Sequence, residues 1–98
     1  MKPSKIADKI IISMYRRFLS SGDEFSHTEK IVQQFPDEPT HQIHAAIRML
    51  SKDDLLSVLF AEDEPTEIAL NVSAIQQCDE NTLLKNGYEF FKEIRSLR

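Results

Sequence analysis

Ninety-eight residues with 41% hydrophobic content suit one domain, residues 1 to 98, with a single core and no room for a separate catalytic domain. A formal charge of −4 excludes diffuse affinity for nucleic acid or anionic membranes, while leaving room for a local basic patch. One cysteine, Cys78, excludes an internal disulfide.

Met1-Lys2-Pro3-Ser4 leads into a charged amphipathic pattern unlike a signal peptide. No apolar run approaches the roughly 18 residues of a spanning helix. The expectation is a soluble, cytoplasmic chain that does not enter a membrane. Over residues 4 to 21, Ile6, Ile10, Ile11, Met14, Tyr15 and Phe18 recur at spacings that share one side of a helix. Lys5, Lys9 and Arg16 fall on the other side, with Ile12 and Leu19 beside them. Ser21-Gly22-Asp23 breaks the pattern. Ser26-His27-Thr28-Glu29 has the form of a capping box before Ile31, Val32 and Phe35, which predicts a short second helix. Pro36 and Pro39 frame a turn, and Ile43, Ala46, Ile47 and Leu50 mark the inner face of a third helix over residues 39 to 52.

The texture then changes. Leu55, Leu56, Val58, Leu59 and Phe60 form a short run with strand character, and Glu67 to Val72 form a second. Glu62-Asp63-Glu64-Pro65-Thr66 lies between them as a polar, proline-containing hairpin loop. Residues 73 to 81 read as a linker, and Leu83, Leu84, Tyr88, Phe90, Phe91, Ile94 and Leu97 define a closing helix. The expected fold is mostly α with a small β-hairpin, in the order helix, helix, helix, strand, strand, helix.

Charge is segregated along this order. Residues 21 to 80 hold thirteen of the sixteen acids but only Lys30, Arg48 and Lys52 of the twelve cations. Asp23-Glu24, Asp37-Glu38 and Asp79-Glu80 each precede or begin a predicted helix, where a carboxylate caps free N–H groups. Asp53, Asp54, Glu62, Asp63, Glu64 and Glu67 have no such explanation. Their plainer use is solubility and protection of the hairpin edge from pairing; the sharper alternative is an acidic surface for a basic protein partner, or one that imitates nucleic acid.

The element order, with Ala45-Ala46-Ile47-Arg48-Met49-Leu50-Ser51-Lys52-Asp53-Asp54-Leu55-Leu56 closing the third helix, resembles the winged helix-turn-helix class. Thr82-Leu83-Leu84-Lys85-Asn86-Gly87-Tyr88-Glu89-Phe90-Phe91 looks like the Leu-Thr-x-x-Gly-x-x-Phe-Leu helix of small bacterial and prophage winged-helix proteins, with Leu84 where that pattern has Thr. The resemblance implies a DNA-binding transcription regulator whose third helix reads double-stranded DNA. On that reading Arg48 and Lys52, on the outward stripe with His41 and Ala45, meet phosphates or a guanine edge. Thr40, His41 and Gln42 occupy the helix start, where recognition helices meet bases.

An acidic hairpin repels phosphate, so the same residues also support a non-catalytic protein-interaction module. The closing helix is apolar over about half its circumference. A homodimer through Ile12, Leu19, Leu83, Phe90, Ile94 and Leu97 would cover the surplus. His41-x-x-His44 could present two imidazoles, with Asp37 or Glu38 one turn earlier as an added carboxylate, but falls short of the usual ligand set and spacing of a zinc site, and the only glycines, Gly22 and Gly87, form no phosphate-binding loop. Cys78 has neither an oxyanion motif nor an orienting group in the sequence. No enzyme activity, metal or cofactor is expected.

Overall fold

The computed structural model describes residues 1–80. Its elements run α1 Pro3–Ser21, β1 Phe25–His27, α2 Thr28–Gln33, α3 Thr40–Lys52, β2 Leu56–Ala61, β3 Glu64–Leu70 and α4 Val72–Asp79. The closing helix expected around Leu83 to Leu97 and its glycine-containing motif lie outside the described residues.

The two long helices follow their apolar period. On α1, Ile6, Ile10, Ile11, Met14 and Tyr15 are buried, and Pro3 starts the helix where no intrahelical N–H bond is lost. Gly22, at φ 74°, ends it, and its N–H donates to the Phe18 carbonyl at 2.8 Å. On α3, Ile43, Ala46, Ile47 and Leu50 have no exposed surface and pack chiefly against α1. Burying an isoleucine or leucine of this kind contributes roughly 1.5–3 kcal/mol, so this helix pair is the main source of cohesion. Ile31, Phe35, Leu55, Leu56, Ile68, Leu70, Ala74 and Cys78 complete the core from the rest of the described chain.

The end of α3 sets where the chain goes next. Asp54 N–H donates to the Ser51 carbonyl and Leu55 N–H to the Leu50 carbonyl, with Asp54 left-handed at φ 62°. This pair of bonds is a Schellman motif, and the fully buried Leu50 and Leu55 supply its apolar contact. An aspartate occupies the place glycine usually takes. Its strained backbone is held by neighbours: the Asn71 amide donates to the Asp54 carbonyl at 3.1 Å, and the Ser73 hydroxyl donates to the same oxygen. Asn71 also donates to an Asp54 carboxylate oxygen at 3.2 Å. This network fixes the angle at which β2 leaves α3.

The sheet has three antiparallel strands in the order β1-β3-β2, rather than the expected two. Phe25-Ser26-His27 pairs with Ala69, Ile68 and Glu67. Ser26 is therefore a strand residue with its side chain turned inward, and the capping box does not form: His27 precedes α2 and no side chain caps it. The hairpin loop is also shorter than expected. The turn is Glu62-Asp63, both left-handed at φ 54° and 66°, and Pro65-Thr66 belongs to β3.

Proline is tolerated in this middle strand because β1 ends opposite Glu67, so no neighbour needs a donor from residue 65. A bulge between Leu59 and Phe60 brings Phe60 opposite Pro65.

Two further expectations change. The linker of residues 73 to 81 is largely α4, which buries Ala74 and Cys78. Asp23-Glu24 and Asp37-Glu38 do not cap the helices that follow them: no side chain caps α2 or α3, and the first turn of α3 holds no acid; the closing helix that Asp79-Glu80 was expected to cap lies outside the described residues. Asp23 instead accepts from the Phe25 N–H at 3.0 Å and pairs with Arg17, Glu38 meets the Met1 amino group at 3.2 Å, and Asp79 is the last residue of α4. No helix among the described residues is long and apolar enough to cross a membrane.

Candidate functional site

The outward face of α3 and the β2–β3 hairpin form one surface. Because the Schellman motif turns β2 back beside its own helix, the hairpin tip returns to the level of residues 44 to 48. There the Arg48 guanidinium donates to the Asp63 carbonyl at 2.7 Å and lies 4.0 Å from the Glu64 carboxylate. His44, one helical turn before Arg48, places Nδ1 2.6 Å from the same carboxylate. The His44 side chain is 16% exposed, against 47% for Arg48 and 60% for Glu64, so the contact is more sheltered on its histidine side.

The turn geometry makes this possible. With Glu62 and Asp63 both in the left-handed region, the hairpin reverses in two residues and its twist matches that of the strands. The Asp63 carbonyl then faces the helix. At the next level of the sheet His27 Nδ1 approaches the Glu67 carboxylate at 3.6 Å.

The residues expected to touch DNA divide. Thr40, His41, Arg48 and Lys52 are exposed and Gln42 is half-buried, as the helical period implies. Arg48, however, is engaged by the hairpin. Of the acidic group, Glu62, Asp63, Glu64 and Glu67 are exposed on the hairpin, whereas Asp54 serves as the backbone anchor at the end of α3. Asp53 follows the helix as its C-terminal cap residue. The dimer residues cannot be taken together: Ile12 is half-buried and Leu19 is 63% exposed on α1, while Leu83, Phe90, Ile94 and Leu97 lie outside the described residues.

His44, which the sequence presented only as half of a His-x-x-His pair, meets Glu64 as a contact the sequence did not foretell. Its position four residues before Arg48 was the available signal, since such residues share a helix face. Asn71 and Ser73, which hold Asp54, lay in segments assigned to a strand end and a linker.

Beside the hairpin, a hollow of about 380 Å³ is bounded by Thr28 and Val32 of α2, His44 of α3, and Pro65 and Thr66 of β3. The Thr28 hydroxyl oxygen is buried without a hydrogen-bond partner among the described residues. Cys78 is buried, and burial first, then the nearby Asp79 and Asp8 charges, pushes its thiol up to about 12, which suppresses the reactive thiolate. Among the described residues no group of three or more His, Cys, Asp and Glu side chains is placed to hold a metal ion. Compared with known protein families, with curated proteins and with solved structures, the chain matches none.

Proposed function

We propose that this chain is a winged-helix-like, non-catalytic interaction module that docks a basic protein partner on the hairpin and the adjoining face of α3. The observation that carries this reading is the engagement of Arg48 by the Asp63 carbonyl and the Glu64 carboxylate. The residue best placed to meet a phosphate already has an acidic neighbour. A DNA strand approaching it would also meet Glu62, Asp63 and Glu67, with Lys52 the remaining cation on that helix stripe. Phosphate neutralisation supplies most of the sequence-independent affinity for DNA, and this surface offers repulsion instead. A basic partner meets the opposite field, which accelerates encounter and selects the partner by charge. The hollow beside the hairpin gives such a partner a recess for a side chain.

The test compares two probes at low salt: duplex DNA and an arginine-rich peptide. The proposal expects the peptide to bind and its affinity to fall when Glu62, Asp63 and Glu67 are changed together to Ala. Changing Asp37, Glu38 and Glu80 instead serves as the control for general acidity and leaves binding in place. A DNA-binding regulator would hold non-specific duplex at roughly 10⁻⁴–10⁻⁶ M near physiological salt, with affinity falling steeply as salt rises. Duplex binding of that kind, lost in Arg48→Ala/Lys52→Ala, would overturn the proposal in favour of the regulator. Sedimentation of the same samples gives the mass, and a dimer weakened by Leu19→Lys would place the α1 face in a homodimer seam.

A further inference from the structure

The geometry points to the outer edge of β2 as the docking element, taking an extended partner segment as a fourth strand. The segment would carry apolar or β-branched residues in its middle and Lys or Arg at both ends. This rests on the protein-partner reading above and adds how the partner is held.

In the order β1-β3-β2, β2 is an edge strand, and among the described residues no strand pairs with its outer side. The ladder tells which backbone groups face outward. The Asn71 N–H donates to the Leu55 carbonyl at 3.0 Å, and antiparallel pairing alternates, so Ser57 with Ala69 and Leu59 with Glu67 exchange bonds with β3. The Thr66 hydroxyl, which donates to the Leu59 carbonyl at 3.0 Å, agrees that residue 59 faces β3. The N–H and C=O groups of Leu56, Val58 and Phe60 therefore point away from the sheet, spaced for an added strand.

Protein edges of this sort normally carry a lysine, an inward charge or a proline that discourages pairing. Leu56-Ser57-Val58-Leu59-Phe60-Ala61 contains none of these. It also leaves Leu59 63% and Phe60 49% exposed, so an added strand finds large apolar cross-strand neighbours. Strand addition of this kind draws affinity from main-chain bonds and specificity from alternate side chains.

Charge then selects the occupant. Asp53-Asp54 stand before the strand and Glu62-Asp63 after it. A second copy of this chain, pairing antiparallel through the same outward groups, would set Val58 against its own counterpart and Leu56 against Phe60. That register brings Asp54 towards Glu62 and Asp53 towards Asp63 at each end, and like charges directly opposed destabilise a strand pair. A strand with cations at both ends turns each of these into attraction.

The experiment uses the synthetic peptide Lys-Lys-Val-Thr-Val-Thr-Val-Arg-Arg, and the same peptide with proline for its central valine, on the full chain. Amide hydrogen exchange is read residue by residue, with binding measured alongside. Added strand bonds should slow exchange at Val58 and Phe60 by at least about tenfold while Ser57 and Leu59, already bonded to β3, change little. The proline peptide should bind weakly, and Phe60→Pro, which removes an outward donor from an edge position, should abolish binding of the parent peptide.

Binding of both peptides alike, without protection of Val58 and Phe60, would overturn strand addition and leave the acidic surface as the docking site. Failure of this peptide and of the arginine-rich peptide together would overturn the protein-partner reading itself. Protection of Val58 and Phe60 that rises with protein concentration in the absence of peptide would assign the edge to a second copy and overturn the choice of occupant. Exchange in the unsubstituted chain decides the matter even if the Phe60→Pro variant does not fold.

Discussion

The Tyr15 hydroxyl donates to the Asp79 carboxylate, joining residues 64 positions apart and fastening the first helix to the last described one. That bond, together with desolvation and the Asp79 charge, pushes the Tyr15 phenol up to about 12 from its ordinary 10.0. Cys78, beside it in α4, is pushed up to about 12 from 9.0, chiefly by burial. Both shifts favour the protonated form in the folded state. The stability they contribute is complete below the unfolded values, 9.0 for the thiol and 10.0 for the phenol, and is lost as pH rises towards about 12.

Thermal melting should therefore fall between pH 9.0 and about 12. Cys78→Ala should remove the earlier part of the decline and Tyr15→Phe the later part. Tyr15→Phe should also melt lower than the parent at neutral pH, because Asp79 loses its donor. Equal alkaline slopes in parent and both variants would show that neither group is responsible.

On the acid side the relevant group is Asp23. The Phe25 N–H, at 3.0 Å, is the first cause holding its carboxyl below the ordinary 3.8, and Arg17 and Lys30 assist against the opposing effect of desolvation. A lowered carboxyl pKa stabilises the fold above the unfolded value, and that contribution is lost as pH falls below 3.8 towards the folded one. Asp23→Asn should flatten this limb of the melting curve. It should also loosen β1, whose entry Asp23 sets, and the Phe25 to His27 amides should then exchange faster.

The parts of this fold that sequence made legible are those with a long period or an uninterrupted apolar face. Six residues of α1 and four of α3 repeat at helical spacing, so both helices and their buried sides follow from side-chain chemistry alone. The sheet was harder to read for identifiable reasons. β1 is three residues long, and its inward serine sits three positions before Glu29, which is also how a capping box looks. Pro65 reads as a loop residue unless one knows that β1 stops short of it. α4 buries only Ala74 and Cys78, too few positions to show a period.

The candidate site was legible as composition but not as contact. Nothing in the order of residues tells that Arg48 meets the carbonyl of Asp63, because that depends on how the Schellman motif and the two-residue turn aim the hairpin. The acids on the hairpin looked surplus for the same reason: contact of the Glu64 carboxylate with His44 and Arg48 shows only in three dimensions.

The tie between helix and hairpin should be modest in energy and clear in dynamics. Exposed ion pairs contribute roughly 0.2–1 kcal/mol, and a hydrogen bond from a charged donor about 1.5–3 kcal/mol before discounting for solvent. Arg48→Ala should therefore cost about 1–2 kcal/mol by urea titration. Its clearer signature should be faster amide exchange at Asp63 and Glu64, with the α1–α3 core unchanged. A double-mutant cycle between Arg48→Ala and Glu64→Ala should give a coupling of at most about 1 kcal/mol. A coupling near zero with unchanged exchange would mean that the hairpin holds its place without the arginine.

The turn itself offers a stabilising change. Glu62 and Asp63 at φ 54° and 66° place two side-chain-bearing residues in the left-handed region, where an ordinary residue costs roughly 1–2 kcal/mol and aspartate somewhat less. Asn-Gly is the pair such a two-residue turn favours. Replacing Glu62-Asp63 by Asn-Gly should raise stability by about 1 kcal/mol. The Arg48 bond to residue 63 uses a backbone carbonyl and survives the change, so amide exchange at the hairpin tip should slow. Because the same replacement removes two acids from the end of β2, affinity for the arginine-rich peptide should fall as stability rises. Opposite movements of the two quantities would separate the shape of this hairpin from its charge; a parallel fall in both would mean that the left-handed turn is not relieved by Asn-Gly.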